Sequence, residues 1–158
     1  MTCHLAHANI AWMHAPIDDP LMAGLASRMD EINQLAESSR GFVWRIPEGE
    51  MTFSHLDPFR PDFPGFDPGR IFYSMSVWES LEALREFTLF SAHAALILGR
   101  REWLDSIAGA NVALWWIAVG HRPTISESAE RLRHVRRFGP SPHAFTLRNA
   151  FPPVVGGL

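Results

Sequence analysis

Eight histidines and no lysine set the chemistry open to this chain. All 14 basic residues are arginine, so no Schiff base can form with pyridoxal phosphate or a carbonyl substrate. Cys3 is the sole cysteine, which leaves neither an internal disulfide nor a multi-cysteine zinc site and fits a reducing compartment. Histidine and the carboxylates remain as the titratable groups suited to neutral pH. Asp18, Asp19, Glu82, Glu86 and Glu127 sit where capping or a solvated helix face explains them. His7 is placed differently. In HLAHANIAW, residues 4–12, strand alternation puts Ala6, Ala8 and Ile10 on one face, suited to lying under a helix, and His7 with Asn9 on the other. That spacing aims both side chains at one ligand, the imidazole as general base and the amide as hydrogen-bond donor to an enolate or carbonyl oxygen. The same pair also suits a satisfied polar contact in a core.

A second group follows the apolar run NVALWWIAV, residues 111–119, where His121 and Arg122 stand at a strand end. Strand-end loops often carry sites, so His121 is a candidate to steady charge on a substrate oxygen and Arg122 to bind substrate; a turn shaped by His-Arg-Pro is the alternative. Trp44, Tyr73, Trp78 and one of Trp115 and Trp116 are candidates to line a pocket for a flat or apolar molecule, although aromatic stripes are more often packing. His93, at a break between two helical pieces, is expected at the pocket mouth. The remaining histidines, His4, His14, His55, His134 and His143, have no spacing that pairs them as ligands, so no metal and no cofactor is expected. Dinucleotide, P-loop, nucleophile-elbow and zincin motifs are absent from the sequence.

These side chains need elements to hold them. Asp19 and Pro20 form an N-cap and first-turn pair, and Leu21, Leu25, Met29, Ile32 and Ala36 recur at helical spacing, predicting a helix over about 20–39. Residues 42–46 and 71–78 read as strands, and Ser80 caps a helix through Thr88 with a second piece from Ser91 toward Trp103. Residues 111–119 read as a strand buried on both faces, and Thr124 with Glu127 makes a capping box before a helix closed by Gly139 and Pro140. The stretch 47–69, rich in proline and glycine with isolated phenylalanines, is expected to be a mobile cover over a pocket. The tail is expected to add an edge strand and then fray over 150–158.

Strand, helix, strand, strand, helix, strand is the split βαβ pattern repeated, which defines an α+β, ferredoxin-like fold: an antiparallel sheet covered on one face by helices, with an added C-terminal helix. The uncovered face would then meet a second copy, so a homodimer formed sheet to sheet is expected. At 158 residues, 47% hydrophobic and 20% charged, the chain suits a single domain. A net charge of −3 gives no footprint for nucleic acid, and no apolar stretch approaches the length of a membrane span, so a cytoplasmic protein is expected.

The segments SVWESLEALREF, SAH and RREW, with LAHANIAW, LWWIAVGHRPT and GPSPHAFTLR, resemble the dimeric α/β-barrel superfamily and, more closely, the uncharacterised domain-of-unknown-function family 3291. In that family the usual first-strand pattern is LAQLNIAR, from which His7 and Trp12 depart. The family implies a fold and no activity. The wider superfamily implies cofactor-independent monooxygenases, small isomerases, polyketide cyclases and some haem enzymes. In barrel-type haem oxygenases the iron ligand falls about one helical turn beyond His93, where this chain has Ile97, which argues against haem. The expectation is an enzyme doing acid–base or cofactor-independent oxygen chemistry on a small apolar, aromatic or polyketide-like molecule; the alternative is a non-catalytic ligand-binding or structural module.

Overall fold

The helix ends form where the capping residues stand. In the computed structural model, which describes residues 3–48, 53–90, 100–105, 107 and 109–154, Asp19 is extended and its Oδ1 accepts from the Leu21 N–H at 2.9 Å. Pro20 opens a 3-10 turn, Pro20–Met22, that leads into α1, Ala23–Ser38. The chain then reverses at Gly41, whose φ of 79° is in the left-handed region, and enters β2, Phe42–Arg45. β3 is Ile71–Trp78, and α2, Leu81–Phe90, begins with Ser80 Oγ accepting from the Ala83 N–H at 3.1 Å. α3, Ile125–Phe138, begins with Thr124 Oγ1 accepting from the Glu127 N–H at 3.1 Å. Only half of the expected capping box forms, because the Glu127 carboxylate turns to His121 and Trp115 instead. The expected helical piece from Ser91 lies mostly outside the described residues.

β1, Cys3–Met13, is the central strand. It pairs antiparallel with β3 on one side and with β5, Val112–Ala118, on the other, while β2 pairs with β3. A short β4, Leu104–Asp105, which periodicity does not reveal, pairs with the end of β1. The path β2-β3-β1-β5, all antiparallel, is the ferredoxin-like arrangement. Register sets the two faces: Ala6 opposes Val77, Ala8 opposes Met75 and Ile10 opposes Tyr73 on one, while His7 opposes Ser76 and Asn9 opposes Ser74 on the other.

Both faces of the sheet are covered by this chain, the added C-terminal helix lying on one and α1 and α2 on the other. The alanine face packs under α3 and a 3-10 segment, Phe53–Asp62, in one core with Trp115. Leu56, Phe59 and Phe63, all buried in that core, sit three and four residues apart and make a helical stripe hidden among prolines. Arg133 of α3 fixes the segment with two-pronged hydrogen bonds to Asp62, at 3.1 Å from Nε to Oδ1 and 2.7 Å from the guanidinium to Oδ2. Leu56, Phe59 and Phe63 thus anchor the described part of 47–69 to the alanine-face core.

The opposite face packs under α1 and α2, where Leu25, Ala36, Leu84 and Phe87 are buried. The tail docks on the β5 edge. Phe145 is fully buried and exchanges both backbone hydrogen bonds with Leu114 at 2.8 and 2.9 Å, and Trp116 Nε1 donates to the Phe151 carbonyl at 2.8 Å. The described part of the expected frayed tail is thus tied down at Phe151. Among the described residues no helix is long and apolar enough to cross a membrane.

Candidate functional site

The α1 and α2 layer does not close fully onto the sheet. A cavity of about 500 Å³ separates them, and its floor is the middle of β1 and β3. His7, Asn9, Ser74 and Ser76 all line it. Because His7 opposes Ser76 and Asn9 opposes Ser74, the four side chains form a square on adjacent strands, roughly 5 Å across the strands and 7 Å along them. Met29 and Ile32 of α1 and Phe87 of α2 line the cavity from the helix side. A polar patch this small, in a mostly apolar enclosure, is the form that fixes a ligand's orientation.

Hydrogen bonds organise the square. Trp78 Nε1 donates to Ser76 Oγ at 2.9 Å, and Ser76 Oγ lies 3.5 Å from His7 Nδ1. Indole is a donor only, so Ser76 accepts from it and keeps its own proton and one lone pair to face the imidazole. The Trp78 ring is held by stacking on Phe87, centroids 5.0 Å apart and planes 26° apart, and by an edge contact with Phe42. Asn9 Oδ1 is buried with no hydrogen-bond partner among the described residues. Such an atom is costly to leave unfilled.

Charged groups line the cavity further from the square, each with a partner. Arg45 Nε is 2.7 Å from Glu37 Oε1, Glu48 Oε1 accepts from Asn33 Nδ2 at 3.1 Å, and Asp105 Oδ1 is 3.0 Å from His14 Nε2. Among the described residues no three His, Cys, Asp or Glu side chains group as metal ligands.

The expected site residues divide between the two faces. His7, Asn9 and Trp78 line the cavity together. His121 does not join them: its Nε2 is 2.9 Å from Glu127 Oε2, and Glu127 also accepts from Trp115 Nε1 at 2.9 Å, on the α3 side of the sheet. Burial alone pushes the Glu127 carboxyl up; hydrogen bonds from His121 and Trp115, with the charges of His121 and Arg131, outweigh it and hold the group below the ordinary carboxylate range. Arg122 lies over the ring of Trp44, 5.9 Å from its centroid, and Trp44 packs against the alanine-face core. Trp115 is fully buried in that core, and Trp116 is buried in the core on the other face beside Phe145, so neither lines the cavity. Tyr73 borders the cavity, but its hydroxyl is 2.7 Å from Ser128 Oγ of α3, and burial pushes its phenol far above the ordinary value. His93 lies outside the described residues.

Ser74 and Ser76, not among the expected site residues, also carry a signal in the sequence. In IFYSMSVW they alternate with Tyr73, Met75 and Val77 as His7 and Asn9 alternate with alanines. Matching polar positions on two strands points to one shared floor.

Fold and cavity define an α+β protein of ferredoxin-like topology with a cavity between sheet and helices. The chain belongs to the domain-of-unknown-function family DUF3291, whose model matches residues 4–156. Among solved structures, the NE2512 protein of unknown function from Nitrosomonas europaea is similar at 14% identity and a TM-score of 0.46, covering 77% of this chain and 94% of that one. No curated protein matches.

Proposed function

We propose that this chain is a small-molecule enzyme that works by proton transfer at His7 inside the cavity under α1 and α2. The observation that supports this is a single titratable imidazole in the polar square, with Asn9 beside it and Ser76 against its Nδ1. A proton-transfer residue needs a fixed ring and a ligand within hydrogen-bond reach, and Trp78 acting through Ser76 supplies the first. The cavity volume of about 500 Å³ suits a drug-sized molecule. His121, tied to Glu127 on the other face, has no part in this step. Acid–base chemistry such as isomerisation or cyclisation needs only these groups; cofactor-independent oxygen chemistry could begin from the same deprotonation, since removing a proton beside an enol or phenol makes the electron-rich form.

The test is to incubate the protein and its His7→Gln variant with pooled small metabolites and follow depletion by mass spectrometry. A species consumed by the wild type and spared about 10²- to 10⁴-fold by the variant supports the role. Equal consumption by both refutes it. Retention of an unaltered compound by both, with no turnover, makes the chain a binding module instead.

A further inference from the structure

We propose that the gap between the start of β5 and the docked tail is a carboxylate site, and that the cavity beside it takes a molecule with an uncharged, ring-sized body whose acid group is held in the gap by the Val112 N–H and Arg148. This rests on the reading of the cavity as a substrate site and names the class of molecule that enters it.

The gap follows from where the tail leaves the sheet. Phe145 and Leu114 exchange both backbone hydrogen bonds, but the tail then turns, the Asn149 N–H donating to the Thr146 carbonyl at 3.2 Å. Between residues 110–112 and 146–148 a recess of about 260 Å³ opens, and Asn111, Val112 and Leu147 line both it and the larger cavity. The two spaces are therefore neighbours with shared walls. Asn111 gives its carbonyl to the Ile10 N–H at 3.0 Å, on the β1 side, so the alternation of an antiparallel strand turns the Val112 N–H to the outer edge, as it does that of Leu114. Leu114 donates to Phe145; Val112 has no such partner on the tail among the described residues.

The charge around the gap has one sign. Arg148 lines it and is exposed. Arg85 donates to the Leu147 carbonyl at 3.2 Å and Arg136 to the Ala110 carbonyl at 2.8 Å, so two carbonyls that would repel an anion are covered by guanidiniums. None of these three arginines forms an ion pair with a carboxylate among the described residues. The carboxylates of the larger cavity are engaged elsewhere, Asp105 with His14 at 3.0 Å and Arg70 at 3.8 Å, and Glu48 with Asn33 Nδ2 at 3.1 Å. Thr88 Oγ1 donates to the Leu84 carbonyl at 3.0 Å, so its proton is also taken. The floor of His7, Asn9, Ser74 and Ser76 and the facing Met29, Ile32 and Phe87 offer no carboxylate or guanidinium, which suits an uncharged body, and about 500 Å³ has room for a ring system.

The experiment titrates 2-naphthylacetate and its uncharged isostere 2-naphthylacetamide into the full chain at neutral pH. Affinity is read by calorimetry, and placement by nuclear magnetic resonance shifts of the Val112 and Leu147 amides. The expected result is that the acid binds about tenfold more tightly than the amide, the usual worth of one charge-assisted hydrogen bond at a partly exposed site, and shifts both resonances. Arg148→Gln should bring the acid to the level of the amide and leave the affinity of the amide unchanged, and Arg148→Glu should weaken the acid further. Because Arg148 is exposed, both variants should melt with the wild type. The proposal is overturned if the amide matches the acid in the wild type, if the acid keeps its advantage in Arg148→Gln, if the Val112 amide does not shift, or if neither probe binds. Its failure is separable from that of the proton-transfer reading. Acid bound at Arg148 in a protein with no turnover that depends on His7 keeps the carboxylate site and removes the catalytic role, whereas turnover lost in His7→Gln with no preference for the acid does the reverse.

Discussion

Phe59 is the side chain that decides whether the proline-rich segment is structural. It is 1% exposed, its ring lies 5.4 Å from that of Tyr73 and 6.3 Å from that of Phe63, and it sits in the core beneath α3. Replacing it with alanine removes the ring and leaves a cavity whose walls, β3 on one side and α3 on the other, are anchored in the sheet and by the Arg133–Asp62 pair. Such a site cannot collapse easily, so the loss should fall in the range of about 3–5 kcal/mol for a buried phenylalanine. For a chain of this size each kcal/mol moves Tm by about 2–4 °C, which gives a drop of about 6–20 °C. Circular dichroism melts and urea titrations of wild type and Phe59→Ala check this; the urea midpoint should fall with little change in slope, as for lost stability without a changed unfolded state. A Tm within about 2 °C of wild type would show the segment to be a loosely held cover, and the account of two covered faces would fail with it.

Other perturbations read different parts of the fold. Glu127→Gln should change the pH dependence of stability: the folded carboxyl lies below its ordinary value of 4.5, so its contribution is present above that value and disappears as pH falls through the lowered one. Wild type should therefore exceed the variant in Tm near pH 6 and converge with it in acid, and a gap that widens in acid would reverse the sign of the argument. Gly41→Ala should destabilise by at least about 1–3 kcal/mol, since φ is 79° and an added Cβ would stand 2.5 Å from Ala83 Cβ; an unchanged urea midpoint would contradict this. Thr124→Ala removes the α3 cap and should cost about 1 kcal/mol in the same assay.

Local chemistry was legible in the chain because it depends on neighbours within a few residues. Asp19 before Pro20, Ser80 and Thr124 each cap the helix they precede, and the alternation of LAHANIAW sends His7 and Asn9 to one face in the structure as on paper. What covers that face was not legible. Alternation separates two faces of a strand without saying which packs against which helix, and only the fold places His7 and Asn9 on the floor of a cavity under α1 and α2. The stripe Leu56, Phe59, Phe63 is obscured by prolines that signal loop, yet these buried apolar side chains, two on the 3-10 segment and one just past its end, outweigh that preference once α3 is present to pack against. His121 and His7 differ for the same reason. Each is a histidine on or just beyond a strand, and only the tertiary packing, by giving one Glu127 and the other Ser76 as neighbours, put them on opposite sides of the sheet. The sequence determined the elements, their ends and the pairing of polar side chains along a strand, all set by short-range sterics and hydrogen bonding. The tertiary structure alone decided which face became core and which kept a cavity, because that depends on how well distant apolar surfaces fill the space between layers.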